Sequence, residues 1–330
     1  MIRSLTPNSM PRFLLCFLLL LALPAAAQDA YPSRPVKLVA PFPAAGPLDV
    51  LARVVAARLG ELWKQPVVVE NVPGGTGTIG ANAVARAAPD GYTLLVTVDI
   101  PLAMYPAVAK SLPYDPERDF KPIASLARSD NGLFVNAGLG VASVEELVAL
   151  AKQQPGKLTF SSAGIGSPGH FGGELFKTIA GIDMTHVPYK GAAPAMSAAM
   201  SGEVSLMFGP IPQGAPQVKA GRLRALAVTG PAASPLLPGV KPLVEQGFAG
   251  LLIYNTYPVL APAATPEALA AKVRAGLQQA MSDPVVRARL EAAGIEPAWE
   301  GDPQRVAAVL AAERKRWTEL ARRARIESPN

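Results

Sequence analysis

The chain has 330 residues, half of them hydrophobic, with a formal net charge of +6, two histidines and one cysteine. A length of this order folds as one large or two medium domains with a substantial core. One cysteine excludes an internal disulfide and a thiolate metal site, and His170 and His186, with no H-x-x-x-H spacing, argue against a zinc or non-haem iron centre.

The first element is a leader. Arg3 and Arg12 precede FLLCFLLLLAL, a run too short to span a bilayer comfortably, which ends in Pro24, Ala25, Ala26 and Ala27. This pattern predicts a secretory signal peptide over residues 1–27, cleaved before Gln28. Cys16 lies inside it, so the mature chain is expected to carry no thiol.

VKLVAPF then reads as a buried strand, and PAAGPLDV leads into LARVVAARLGELW, whose apolar residues recur at intervals of three and four. The strand PVVVEN, the loop PGGTGTIG, the helical stretch GANAVARAA, a turn at Pro89-Asp90-Gly91 and the strand YTLLVTV follow. Strand and helix alternate, which predicts an α/β unit with a mainly parallel sheet whose ligand edge is at the carboxyl ends of the strands. Around FKPIASLARSDNGLFVNAG the pattern changes to long β-type runs, as expected where a chain crosses between lobes. A capping box, Ser143-Val144-Glu145-Glu146, opens the helix VEELVALAKQQ. Alternation resumes with KLTFSSA, the loop GIGSPG, the helix HFGGELFKTIAG, the strand THVPY, the stretch KGAAPAMSAAMSG and the strands EVSLMFG and LRALAVT.

Proline-rich connections and the apolar run IYNTYPVLAP lead to three closing helices. Each is expected to open on a cap and a first-turn proline, at Thr265-Pro266, Asp283-Pro284 and Asp302-Pro303, and to pack back onto the first lobe. The basic cluster ERKRWTELARRAR fits a solvated helix face, since no stacking aromatics interleave it, so no nucleic-acid partner is expected.

Two glycine loops carry the chemistry. Gly75, Gly77 and Gly80 form G-x-G-x-x-G, with Asp99 nineteen residues further on, which on spacing alone is a dinucleotide fingerprint. Against that reading, Asn71-Val72-Pro73-Gly74 separates the strand from the first glycine of the pattern, and export through a Sec-type signal leads away from the nicotinamide pool. A second match, Gly164, Gly166 and Gly169, also lies between a strand and a helix. Free backbone N–H groups at the positive end of a helix dipole bind anions generally, phosphate or carboxylate.

Catalysis is not expected. G-x-S-x-G is absent, so there is no nucleophile elbow. Ser167 and His170 fit a cap and a polar ligand contact better than a nucleophile and base, because no acid stands near to orient the histidine. Asp49 and Asp99 fit caps or acceptors better than paired carboxylates. No cofactor or metal is expected either.

The segments PVKLVAPFPAAGPLDVLAR, VVVENVPGGTGTIGANAVARAAPDGYTLL, LPYDPERDFKPIA, ELVALAKQQPGKLTFSSAGIGSPGHFGGELF, THVPYKGAAPA and KAGRLRALAVTG together resemble the periplasmic receptors of tripartite tricarboxylate transporters, the Bug family. The resemblance covers almost the whole mature chain in the family's order. It implies an α/β, two-lobed type II periplasmic binding protein, each lobe a mixed, mainly parallel sheet flanked by helices, with a hinge between. Lobe 1 is expected over residues 28–127 and 228–330 and lobe 2 over residues 128–227. A periplasmic monomer of this kind closes on a small carboxylate and delivers it to one large and one small membrane subunit.

The family's two opposed pincer loops map onto Phe42, Pro43, Ala44, Ala45, Gly46 and Asp49 in the first lobe, and onto Ser162, Ala163, Gly164, Gly166, Ser167 and His170 in the second. Neither loop contains Arg or Lys, which suits a ligand that must be released. Asp49 would accept from a polar ligand group or orient its loop, and His170 would donate to the ligand or help cap its helix. Tyr189 and Lys190, ending and following THVPY, are expected at the cleft rim. Three departures bear on the ligand. Ala45 replaces the first of two adjacent glycines. Asp99 stands where the family has small or hydroxyl residues, to bond a ligand hydroxyl or amino group or to repel a second carboxylate. Tyr254, Asn255 and Tyr257 occupy the vicinity of a missing tryptophan. An exported nucleotide-dependent oxidoreductase and a ligand-sensing module without transport are the competing readings.

Overall fold

The apolar run Val36–Ala40 forms β1, which pairs in parallel with β2 (Val67–Asn71) on one side and β3 (Thr93–Val96) on the other. In this computed structural model, which describes residues 31–326, the connections run through α1 (Pro47–Trp63) and α2 (Thr78–Ala85). The leader falls outside the described residues. The buried positions of α1 are Leu48, Asp49, Leu51, Ala52, Val55, Ala56 and Leu59, the spacing that puts one helical stripe on the sheet.

The long β-type run is one strand of 17 residues, β4 (Phe120–Asn136). Its residues 120–130 pair antiparallel with β9 (Tyr254–Pro262), and its residues 131–136 pair with β7 (Leu206–Pro210) and β8 (Leu223–Val228). The sheet order is therefore β2-β1-β3-β9-β4-β7-β5-β6, with β5 (Thr159–Ser162) parallel to both β6 (Thr185–Pro188) and β7. One strand thus belongs to two half-sheets, which form the two lobes. A second crossing runs from β8 to β9, where Thr229 donates its N–H to the Asn131 carbonyl and its hydroxyl to the Ile253 carbonyl, clipping the crossings together.

The second half-sheet carries α3 (Val144–Gln153), α4 (Pro168–Ala180), α5 (Ala192–Ser201) and α6 (Ile211–Lys219). The capping box at its start is present: the Glu146 N–H donates to Ser143 Oγ at 3.2 Å, and Glu146 Oε2 accepts from the Ala142 N–H at 2.7 Å. The chain closes with α7 (Glu267–Ser282), α8 (Pro284–Ala292), β10 (Glu296–Glu300) and α9 (Pro303–Ala324). Asp283 and Asp302 cap α8 and α9 by accepting from the N–H groups of Val285 and Gln304.

Two expectations need correction. Thr265 does not cap α7; Pro266 is the N-cap residue, its carbonyl accepting from Leu269 and Ala270, and the Thr265 hydroxyl is buried without a partner. Nor does α9 pack on one lobe. Its first half, through Val306 and Leu310, joins a core with Val39, Leu95 and Leu260, whereas Trp317, Leu320 and Ala321 join the core of Leu133, Phe160 and Phe171. The two halves of one amphipathic stripe serve different cores, which the periodicity of the helix alone does not reveal.

Side-chain alternation places the two loops. Tyr257 lies in the core that α1 covers, together with Leu38, Leu94 and Val96, and its hydroxyl bonds Ser129 Oγ at 2.9 Å. Along β4 the same side continues through Asn131 to Leu133 and Val135, which lie in the core that α4 covers. Both helices that follow the glycine-rich or small-residue loops therefore sit on the same side of the long crossing strand.

Candidate functional site

The first loop leaves β1 at Pro41 and enters α1 through Gly46 and Pro47. Gly46 is the N-cap residue and makes no side-chain cap, so the first-turn N–H groups of Leu48 and Asp49 lack an intrahelical acceptor. Ala45 takes a left-handed φ of 66°, a conformation a methyl group disfavours, and is held there by Asp49 Oδ2, which accepts its N–H at 2.9 Å. The same oxygen accepts from Arg53 Nε at 2.9 Å, Arg53 also donates to Asn71 Oδ1, and Asn71 Nδ2 donates to the Phe42 carbonyl. Burial opposes the charge on Asp49, yet hydrogen bonds from Arg53, the Ala45 N–H and Asn71 outweigh it and hold the carboxyl below its ordinary range. Asp49 thus orients its own loop. Arg53 and Asn71 are parts of this device that motif reading missed, although the four-residue spacing of Asp49 and Arg53 on a helix was a signal for it.

The second loop leaves β5 at Ser162 and enters α4 through Ser167 and Pro168. Gly164 and Gly166 take positive φ values of 128° and 75°, a range that favours glycine. Ser167 is the N-cap residue, yet its hydroxyl makes no cap bond and is buried without a partner. His170 is buried; its Nδ1 accepts the Gly166 N–H at 3.2 Å, which leaves the imidazole proton on Nε2. Its ring stacks on His186 at 3.8 Å and 9°, and His186 stacks in turn on Phe160 while its Nε2 meets Ser162 Oγ at 2.7 Å. Burial first, and the neighbouring His186 and Lys177 next, push His170 down to about 3; burial and Lys177 push His186 down to about 4. Both rings are neutral at physiological pH. His186, like Arg53 and Asn71, is a residue the motifs left unassigned, and the parallel register that pairs it with Phe160 delivers it.

One segment ties the loops together. The chain after β3 makes helical turns at Ile100–Met104 and Tyr105–Ala107. A methyl at Gly77 would meet Phe42 Cζ at 3.1 Å and Pro101 Cγ at 3.3 Å; one at Gly166 would meet Val108 Cγ2 at 2.8 Å and Tyr105 Cδ2 at 3.2 Å. Gly77, which lies next to Phe42 of the first loop, and Gly166 of the second loop thus lie against neighbouring turns of the same segment. Gly80, the last glycine of the fingerprint, lies inside α2, where a methyl would stand 2.7 Å from the Val72 carbonyl, so it serves helix–strand packing.

Two uncapped helix starts, on one side of a sheet whose halves share a strand, form the arrangement of a two-lobed solute receptor, and residues 51–326 match the family described as tripartite tricarboxylate transporter family receptor. The chain belongs to that family. It is 32% identical to Protein BugT of Bordetella pertussis over 92% of each chain. Among solved structures, R. palustris Rpa4515 with adipate shares 36% identity and a TM-score of 0.83, covering 90% of this chain and 99% of that one. MatC from Rhodopseudomonas palustris with bound malate shares 30% identity and a TM-score of 0.79, covering 88% and 99%. The fold is that of the two-lobed type II periplasmic binding proteins.

In this receptor the remaining predicted residues fall in different places. Pro43, Ala44, Ala45 and Ala163 are exposed on their loops, and Phe42 and Gly46 are partly buried. Lys190 is exposed, and Tyr189 turns its hydroxyl to Glu203 at 2.6 Å while its N–H ties the strand end to the Ser162 carbonyl. Asp99 starts the segment that runs between the loops. It is 1% exposed, it starts the turn at Ile100 by accepting from Leu102 and Ala103 through its carbonyl, and its carboxyl faces Glu313 and Arg316 of α9 and the Thr256 N–H. Burial and the Glu313 carboxylate raise it to about 8 against the pull of those donors, so it is largely protonated at neutral pH.

Proposed function

We propose that this receptor binds a small organic acid in the periplasm, its carboxylate held between the loops at residues 42–49 and 162–170, and passes it unchanged to the membrane subunits of a tripartite transporter. The observation that carries the reading is the pair of uncapped helix starts. Each helix opens with a proline at its first position, and neither N-cap side chain bonds its own helix, so donors at both positive dipole ends are left for an anion. Carboxylates bound in the two R. palustris relatives support the ligand class. Neutral histidines and backbone donors grip an acid without the strength of a guanidinium clamp, as delivery requires. Lobe boundaries at 127/128 and 227/228 are proposed, supported by the change of strand partner after Asp130 and the end of β8 at Val228. Export by the leader over residues 1–27 completes the reading.

A thermal-shift screen of the chain without its leader, against carboxylates, amino acids and nicotinamide nucleotides, tests it, because only a ligand of the native state raises the melting temperature. An acid is expected to stabilise the protein; stabilisation by a nucleotide alone would contradict the reading. Ser167→Ala is expected to weaken that acid about tenfold, one hydrogen bond to a charged group, with the melting temperature of the free protein nearly unchanged because the hydroxyl caps nothing. Calorimetric titration measures the first and scanning calorimetry the second. A fall in melting temperature with unaltered affinity would assign the hydroxyl to the helix instead.

A further inference from the structure

Between the two apolar halves of the sheet face covered by α1 and α4 lies a polar gap. Ser129 and Asn131 on β4 and Asn255 on β9 occupy it, with Ser129 directly opposite Asn255 in the antiparallel register. Alternation fixes their side. Ser129 bonds Tyr257, which belongs to the α1 core, and Asn131 is followed on the same side by Leu133 and Val135 of the α4 core. These residues therefore lie beneath the space between the starts of α1 and α4, where the chain passes from one lobe to the other. Asn131 and Asn255 are 2% and 8% exposed, and Asn131 Nδ2 and Asn255 Oδ1 are both buried without a hydrogen-bond partner. Buried amides are normally satisfied, so an orphan donor and an orphan acceptor on one floor are matched by something that brings one of each.

We propose that Asn131 and Asn255 form a subsite at the floor of the cleft for an uncharged donor–acceptor group, a carboxamide or hydroxyl, at the far end of a monocarboxylate ligand. The proposal rests on the carboxylate reading above and adds the class of acid. A carboxamide oxygen would accept from Asn131 Nδ2 and its NH2 would donate to Asn255 Oδ1. A second carboxylate fits poorly. Arg128, one residue from Ser129 and so on the other side of the strand, is paired with Glu296 at 2.8 Å, and Arg316 donates to the Leu252 carbonyl and is paired with Glu313. A second carboxylate buried at this floor would find these two arginines already engaged, so its charge would lack a ready partner there.

A ladder of length-matched acids tests the idea on the unmodified mature chain by calorimetric titration at pH 7.5: succinate against succinamate, glutarate against glutaramate, adipate against adipamate. For the length that binds most tightly, the half-amide is expected to exceed the diacid by roughly tenfold or more. Asn131→Ala and Asn255→Ser are expected to bring the half-amide down to the affinity of the unsubstituted monoacid of that length, which should itself bind as before. Tighter binding of the diacid would overturn this inference and leave the receptor reading standing, as would equal losses for half-amide and monoacid in a variant that melts normally. Failure of every acid to bind the folded protein would overturn both.

Discussion

Replacing Asp49 with alanine is expected to lower carboxylate affinity by about 30- to 100-fold, the loss of charge-assisted hydrogen bonds that set a binding loop. The carboxylate touches no ligand in this account. One oxygen holds the Ala45 N–H and Arg53 Nε together, and Ala45 is in the left-handed region at φ 66°. A non-glycine residue there is strained by about 1–2 kcal/mol, and without its acceptor the loop relaxes away from the geometry that aims the start of α1. Arg53 then keeps only its bond to Asn71 Oδ1. Asp49→Asn keeps an acceptor for Ala45 but loses the charge opposite Arg53, so its loss should be distinctly smaller. Ala45→Gly removes the strain and is expected to restore part of the affinity when combined with Asp49→Ala. Titration calorimetry of the four proteins checks the series. Equal affinities for Asp49→Ala and the natural chain would remove Asp49 from the machinery altogether.

The dependence of stability on pH is expected to show the buried titrating groups separately. His170 and His186 lie below their unfolded value of 6.5, at about 3 and about 4, so the unfolded chain takes up their protons first. The stability they contribute is complete above pH 6.5 and is lost as pH falls towards those values. Asp99 behaves oppositely. Its folded value of about 8 lies above the unfolded 3.8, so its contribution is complete below pH 3.8 and is lost as pH rises through 8; Asp130, raised by burial to about 6, follows the same sense over a shorter range. From pH 4 to 6 the two pairs nearly cancel. Above 6.5 only Asp99 of these four remains, and its loss runs at about 1.4 kcal/mol per pH unit, roughly 2 kcal/mol by pH 8. Maximum stability is therefore expected near pH 6, with a decline towards pH 8 that Asp99→Asn flattens. Melting temperatures of the natural chain and Asp99→Asn at half-unit steps from pH 6 to 8 measure it. Parallel curves for the two proteins would mean that the acid is not held protonated beneath α9.

Much of this molecule could be read from residue order because its local signals agree with one another. The alternation of VKLVA, α1 and VVVEN, the capping box at Ser143 and the Asp-Pro starts of α8 and α9 each specify an element through contacts within a few residues. The glycine loop at residues 164–169 was singled out the same way, whereas the pincer role of residues 42–49 came only with the family resemblance. What stayed hidden depends on register and on contacts between distant segments. His186 reaches Ser162 only because β6 pairs with β5 in one register, and Ser129 stands opposite Asn255 only because two crossing strands bring residues more than a hundred positions apart side by side. Nor could the surroundings of Asp99 be read from its spacing, because its carboxyl faces Glu313 and Arg316 of α9, a helix whose two halves serve different cores that its periodicity could not assign in advance.

Hydrogen–deuterium exchange of the mature chain with and without a bound carboxylate tests the central claim most directly, because it reads the backbone donors themselves. Peptides covering residues 42–50 and 162–171 are expected to gain protection together, at the same ligand concentration, with the helix starts at Leu48–Asp49 and Gly169–His170 slowed most. A carboxylate that binds and protects only one of the two loops, or neither, would contradict the account.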